Sequence, residues 1–471
     1  MLKLIIEKEL REITGSMKFA VTFGISSLLL LLTFYIGARN YQVSLEQYEG
    51  ARRENLRKLE GLTSWEEVRN FLIYLPPGPV SSLVMGVSND IGRTSEIRGA
   101  GEIGTRDSKY GEDPVYAVFR FLDLDFIFQI VLSLFAILFA YDAVNGEKER
   151  GTLRLTLANA VPRSTYIAGK IAGSFLALGV PLLVPILLGA LLLIAMGVPM
   201  ASGDWARFAL VAGAGYLYFG VFLSLSLFVS SMTEKSSTSF LLLLVVWIFS
   251  VMIIPRTAVL LAGRAVEVPA VDELVSKKSR YSASLWQEHR KKMADFRAPE
   301  GTPMDKVMEG FQKFMADIDA ERTKKMEEFS RRLNEERSNA QAVQERMAFG
   351  LARISPSAVF SLLSTSVAAT GIHLKDEYRN QAAQYQKQYA EFMREKTGRN
   401  PSGSFMFRMT TDDEQEEPKK INTAELPVFG FAQPTVESAL GSIVMDFGIL
   451  AAFNLAFFAG AFAAFLRFDP R

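Results

Sequence analysis

Residues 145–170, NGEKERGTLRLTLANAVPRSTYIAGK, gather the side chains of this sequence best suited to transmit force. Two carboxylates, Glu147 and Glu149, stand where a long apolar run ends, followed by Arg150. Gly151-Thr152 permits a break, because glycine adopts turn conformations without a steric penalty. LRLTLANA, residues 153–160, reads as a short helix that turns Leu153, Leu155 and Leu157 toward the membrane or a protein groove. Pro162-Arg163 stops it, and Ser164 is a candidate N-cap for the next helix. The product is a rigid elbow across the ends of two apolar helices, on which a separate motor can push. A plain connector obeying the positive-inside rule would explain the basic residues but not this order of features.

Other chemistry is thinly represented. The sequence has no cysteine, which excludes disulfides and thiolate metal sites. Thioethers suit copper(I), and two histidines, His289 and His373, lie in the same region as several methionines. Those methionines follow helical spacing, however, and suit a packed stripe better than a metal site. There is no Ser/His/Asp set, no HExxH and no pair of carboxylates in an apolar pocket. Gly169-Lys170 lacks the upstream glycine and the following Ser or Thr of a phosphate loop. The reading is therefore of a chain with no catalytic residues, no metal site and no cofactor of its own. With 52 basic and 51 acidic residues it has no basic face for nucleic acid.

The elements that hold the elbow are membrane spans. A crossing helix needs roughly 20 mostly apolar residues. Six segments qualify: 19–38, 124–141, 171–198 with Pro181 and Pro185 expected to kink it, 208–232, 239–255 and 445–466. The first is too long, and lacks a small-residue cleavage site, for a removed signal peptide. Lys3, Lys8, Arg11 and Lys18, the loop bases Lys148, Arg150, Arg154, Arg163 and Lys170, then Lys235, Arg467 and Arg471 all fall on one side of a six-span layout. That side is expected to be cytoplasmic. The expected fold is an all-α polytopic membrane protein of five parts. Residues 1–38 form an elbow helix and the first span, and 39–123 a small extracytoplasmic α/β or irregular region. Residues 124–255 form spans two to five with the coupling loop 142–170. Residues 256–440 form a largely helical extracytoplasmic domain, and 441–471 the last span and a short tail. The Ser- and Thr-rich apolar segment 354–372 is read as a helix on the outer membrane surface or buried in the outer domain, not a seventh span.

Within the helical domain, Met308, Phe311, Met315 and Ile318, then Met326, Phe329, Leu333, Ala340, Val343 and Met347, make an apolar stripe with a 3.6-residue period. It suits a helix packed on its own domain, or a stalk that meets an outside partner. Residues 374–396 read as a second polar helix with an aromatic edge, and 398–420 as a loop. The first outer loop, with LPPGPVSSL at 75–83 and the Gly-rich 98–107, is expected to be irregular with short strands. Asn454 is costly in hydrocarbon and should face other helices, whereas Ser224 and Ser226 can bond their own preceding turns.

The loop resembles the signature of type-2 ABC exporter permeases, in which Glu-x-x-x-Gly-Thr precedes a short coupling helix, a Pro-Arg or Pro-x-Ser and a Gly-Lys. Here those positions are Glu147, Glu149, Gly151, Thr152, Leu153, Pro162, Arg163, Gly169 and Lys170. IEKELREITGSMKF resembles the family's amphipathic elbow. The ending FLRFDPR resembles a subgroup with large outer insertions, related to permeases for maturing copper enzymes such as nitrous oxide reductase. The resemblance implies a half-transporter of the bacterial inner membrane, paired with an identical or similar permease above two ABC ATPase subunits that supply ATP and Mg. It also implies that spans two and five line the dimer seam. Gln129 and Ser133, or Asn454, would then face that seam or a translocation path. Alternatively, Gln129 and Ser133 are simply wet near the outer interface. An ATP-driven mechanical relay to a periplasmic or extracellular protein, a factor in metalloenzyme maturation, and a membrane anchor without a motor are the other readings.

Overall fold

The computed structural model describes all residues except 69–70, 89–90, 98–102, 107–122, 159–160, 298–302, 398–420 and 468–471. The loop expected at 398–420 and most of the Gly-rich 98–107 lie outside the described residues. Helix α1 (Leu2–Thr14) precedes α2 (Met17–Arg57). Three strands follow, β1 (Phe71–Tyr74), β2 (Thr94–Ile97) and β3 (Gly104–Arg106). Then come α3 (Leu124–Glu149), the short α4 (Thr152–Ala158), α5 (Arg163–Ala195), α6 (Ser202–Met232) and α7 (Ser236–Ala265). The chain continues through α8 (Val271–Ala294), α9 (Met304–Ala352), α10 (Pro356–Val367) and α11 (His373–Thr397), and reaches α12 (Leu440–Arg467).

Six of these helices, α2, α3, α5, α6, α7 and α12, are long and apolar enough to cross a membrane, matching the expected six. They pack around one core that includes Phe34, Phe128, Phe135, Leu182, Phe222 and Leu450. Side-chain contacts define the two ends of the bundle. Lys8 meets Glu147, Asn145 meets Thr233, and Arg163 donates to the carbonyl of Leu466, so both terminal helices and the elbow share one end. At the far end Gln42 donates to the Met196 carbonyl and Arg207 to that of Val367.

Helix α2 continues well past the expected end of the first span. Its 41 residues extend about 60 Å, twice the hydrocarbon thickness. Residues 39–57 are rich in Glu, Gln and Arg, which favour helix. Asn55 docks this extension on the sheet by donating to the Leu72 carbonyl at 2.8 Å. The sheet is antiparallel in the order β1-β2-β3, with Phe71 opposite Ile97. Its inner face packs on the aromatic edge of α11, through Tyr385 and Tyr389. Helix α5 runs unbroken through Pro181 and Pro185.

Helices α8 and α9 form a hairpin. Tyr281 stacks on Phe329, and Phe296 fits between Phe311 and Phe314. Lys292 and Lys325 each pair with both Glu288 and Glu321. Such exposed pairs contribute little singly. The apolar stripe is only partly buried: Ile318 and Leu333 are enclosed, while Met308, Val343 and Met347 stay exposed and Ala348 and Ala352 take the inner positions. His289 is buried 3.9 Å from Asp319, and His373 is exposed beside Glu345.

Segment 354–372 differs from its expected place. Its helix α10 neither lies on a surface nor belongs to the hairpin domain. It is inserted among the spans, against α3, α6, α7 and α12, with Val359, Phe360, Leu363 and Val367 fully buried. Its serines are satisfied there by partners on neighbouring helices, which hydropathy cannot foresee. Just before it, Arg353 forms a two-point pair with Asp446 at 2.6 and 3.2 Å. Arg353→Ala would strand the enclosed Asp446 carboxylate. The adjoining cavity of about 70 Å3 admits water to it, so the loss of unfolding stability is expected near 2 kcal/mol. Chemical denaturation in detergent measures this, with Asp446→Asn expected to recover part of the loss in the same background.

Candidate functional site

The elbow begins as a continuation of α3. Past Ala140 the backbone turns and re-forms a helix over Asn145–Glu149, so both carboxylates leave the bundle on helical turns. Gly151 has φ +73°, a left-handed conformation that an L-residue adopts only with strain of about 1–2 kcal/mol. Nothing lies within 4 Å of where its Cβ would be, so the requirement is purely one of backbone. This turn launches α4, with the Thr152 hydroxyl donating to the Glu147 carbonyl at 3.3 Å. Leu153 is buried in the bundle core, whereas Leu155 is 68% exposed. The Leu157 side chain lies outside the described residues. Helix α5 starts at Arg163 with Pro162 at its N-cap, not Ser164. Pro162 pre-sets the entry and Arg163 is the helix's first residue, so Ser164 falls inside the first turn.

Glu147 is the centre of the site and only 3% exposed. It accepts hydrogen bonds from Lys8 at 2.6 Å and from the Tyr166 hydroxyl at 2.7 Å, and pairs with Lys170 at 2.9 Å. Lys170, equally enclosed, also pairs with Glu9 of α1 at 2.6 Å. Burial pushes the Glu9 carboxyl above its ordinary range, and the Lys170 ammonium opposes that rise. One buried cluster thus joins three elements: the elbow helix α1, the end of the second span and the start of the third. The carboxylates of Glu9, Glu12 and Glu147 lie close enough to hold a cation. Lys170 and Lys8 already occupy their oxygens, and Arg150 stands 4.0 Å from Glu12. The protein supplies its own cations here.

Close approach of α1 has a simple origin. Gly169 and Gly173 form a small-xxx-small pair on α5, which lets two helices come into contact. A Cβ on Gly169 would lie 2.7 Å from Ile5, and one on Gly173 2.7 Å from the Glu9 Cβ.

Glu149 is bound separately. It accepts from the Ser236 amide at 3.0 Å and its hydroxyl at 2.9 Å, capping the fifth span. Asn145 bridges to Ser230, Thr233 and Lys235, and Lys148 donates to the carbonyls of Ser231 and Thr233. The elbow therefore holds the α6–α7 turn as well. Sequence reasoning missed Glu9, Tyr166 and Asn145. Tyr166 and Lys170 are four apart on one helix face, the available signal for a shared partner.

Gln129, Ser133 and Asn454 are not gathered with this site, and each is hydrogen-bonded within the chain's own bundle. Gln129 and Ser133 are buried inside the chain's own bundle: Gln129 donates to Asp125 and accepts from Ser357 at 2.9 Å, and Ser133 accepts from the Trp247 indole at 2.8 Å. Neither residue is wet. Asn454 donates to the carbonyls of Leu217 and Leu450, at the contact between α6 and α12. As expected, it faces another helix, and Ser224 and Ser226 bond their preceding turns. Two further carboxylates, Asp123 and Asp125, are buried at the start of α3. They are fully hydrogen-bonded: Asp123 accepts from the amides of Met85 and Phe126, and Asp125 from Ser361 and Ser364.

A comparison across known families matches residues 4–469 to the ABC-2 family transporter proteins. The chain belongs to this family. It is also similar to the probable ABC transporter permease protein NosY of Pseudomonas aeruginosa, 34% identical over 128 residues. That match covers 26% of this chain and 45% of the relative, so the chain spans less than half the length of the permease it matches. The protein is a multi-pass membrane permease subunit of an ABC transporter, with the all-α fold expected of one.

Proposed function

We propose that this permease couples ATP hydrolysis by a separate ABC ATPase subunit to export of a substrate, with energy entering through residues 147–163. Two permeases, identical or similar, would pair above two ATPases holding ATP and Mg. The bundle end carrying the termini and the elbow would face the cytoplasm of a bacterial inner membrane, with the sheet and the hairpin outside. The observation that carries this reading is the divided α4. Leu153 anchors it in the bundle while Leu155 is 68% exposed on a short helix tied, through Glu147, Glu149 and Asn145, to the ends of four spans.

Leu155→Asp tests the coupling directly. The side chain is exposed, so folding should change by no more than about 0.5 kcal/mol. A buried apolar anchor replaced by a charge at a protein interface is expected to cost about 2 kcal/mol or more of binding. Co-purification of the cognate ATPase should fall accordingly, and stimulation of its activity should be lost. Unchanged co-purification with unchanged stimulation would refute the proposal.

A further inference from the structure

We propose that α10 is a joint that carries movement of the second span into the α8–α9 hairpin, so that the hairpin changes attitude with the ATP cycle. This rests on the coupling reading above and extends it to the far end of the bundle. The hydroxyls of Ser361 and Ser364 donate to Asp125 at 3.1 and 2.6 Å, and Ser357 donates to Gln129. All three therefore grip the second span, whose opposite end bears Glu147. On another side Ser355 donates to the Ser250 carbonyl of the fifth span, with the two hydroxyls 3.4 Å apart.

Both gripped spans leave α-helical register at this level, as π-turns over Ile127–Leu132 and Phe249–Ile253. Such turns often mark sites of function, and the carbonyls they free must be met inside the protein. Ser133 and Tyr218 meet that of Gln129, and Ser355 meets that of Ser250. The Ser364 hydroxyl also lies 3.1 Å from the Ser361 carbonyl, so it has a second acceptor to turn to when α10 shifts. Only residues 353–355 separate α10 from α9, and Arg353 is fixed to Asp446. The 49 residues of α9 make a lever about 70 Å long, braced by α8 and, near its α10 end, by the last turns of α7. A small tilt of α10 becomes a large sweep of the hairpin tip.

The absence of native cysteine makes the test clean. Ser250→Cys with Ser355→Cys, in the full permease–ATPase complex in membrane vesicles, places two thiols where the hydroxyls now meet. Oxidation should lock α10 to the fifth span. It is expected to lower stimulated ATPase activity about tenfold, a typical inter-site coupling, with recovery on reduction. Hydrogen exchange over 340–367 should differ between nucleotide-free and vanadate-trapped complexes, and Ser361→Ala with Ser364→Ala should abolish that difference. A locked complex that keeps its stimulation, or identical exchange in the two states, overturns the joint. A wild-type complex without stimulation would instead defeat the coupling reading.

Discussion

Lys170→Met is expected to be the most damaging single substitution at the elbow, lowering unfolding stability by about 3–5 kcal/mol, the usual consequence of removing one partner from a buried ion pair. The reason is an imbalance of partners. Glu147 would keep Lys8 and Tyr166, but Glu9 would lose its cation while remaining 3% exposed. A carboxylate in that position must either stay charged without compensation or take up a proton. Left charged, it drives α1 off α5; protonated, it stays at the cost of neutralising a carboxylate at neutral pH. Glu147→Gln should be milder, because Lys170 keeps Glu9 and the amide oxygen still accepts from Tyr166. Glu9→Gln in the Lys170→Met background should recover more than half of the loss, since no charge is then stranded. Residues in one network do not add, and a double-mutant cycle reads the interaction. Denaturation of the detergent-solubilised permease supplies the stabilities, and ATPase stimulation shows whether the elbow still transmits. Equal losses for Lys170→Met alone and with Glu9→Gln would mean that the cluster is not the structural node described.

Much of the elbow was legible in the sequence because its parts are local. A carboxylate run at the end of a span, Gly151, a short leucine helix and Pro162 each act within a few residues of themselves, and the structure has the turn at Gly151 and the helix over Thr152–Ala158, while Pro162 caps the next helix in place of Ser164. Six spans were legible for the same reason: hydropathy over 20 residues is a local sum. What was not legible depends on distant partners. Glu9 looked like one more charge on an amphipathic helix, and its role exists only because α1 crosses α5 at Lys170. Gln129 and Ser133 looked like polar residues available to a seam. Their actual partners, Ser357 and Trp247, come from more than a hundred positions away. Segment 354–372 failed in the same manner. Its serines argue against hydrocarbon by composition, but Asp125 and Ser250 lie beside them in the fold. The far extension of α2 was missed for a different reason: a span was expected to end with its apolar run, although the polar residues that follow are themselves helix formers.

Gly173→Val is the second substitution expected to act strongly, and it separates packing from charge. The two glycines on α5 do not hold the cluster by any bond. They set the distance at which Glu9 can reach Lys170. A Cβ at position 173 would already meet the Glu9 Cβ at 2.7 Å and the Ile6 Cα at 3.3 Å, and backbone atoms cannot swing aside. Valine adds two further methyls, so α1 must withdraw, at an overpacking cost of about 1–3 kcal/mol, and the 2.6 Å pair between Glu9 and Lys170 must open. The charged residues are all still present, which is the point of the variant. Withdrawal can be followed with a single Ile13→Cys, a buried position on the inner face of α1. Its reaction with a soluble maleimide should accelerate about tenfold on addition of Gly173→Val, equivalent to 1.4 kcal/mol in the opening equilibrium. ATPase stimulation should fall with it. If the thiol stays protected while stimulation is lost, the glycines serve the spans rather than the elbow, and the geometric account of the cluster fails. If both stay unchanged, α1 has another way of lying against the bundle and Lys170 cannot be the residue that holds it there.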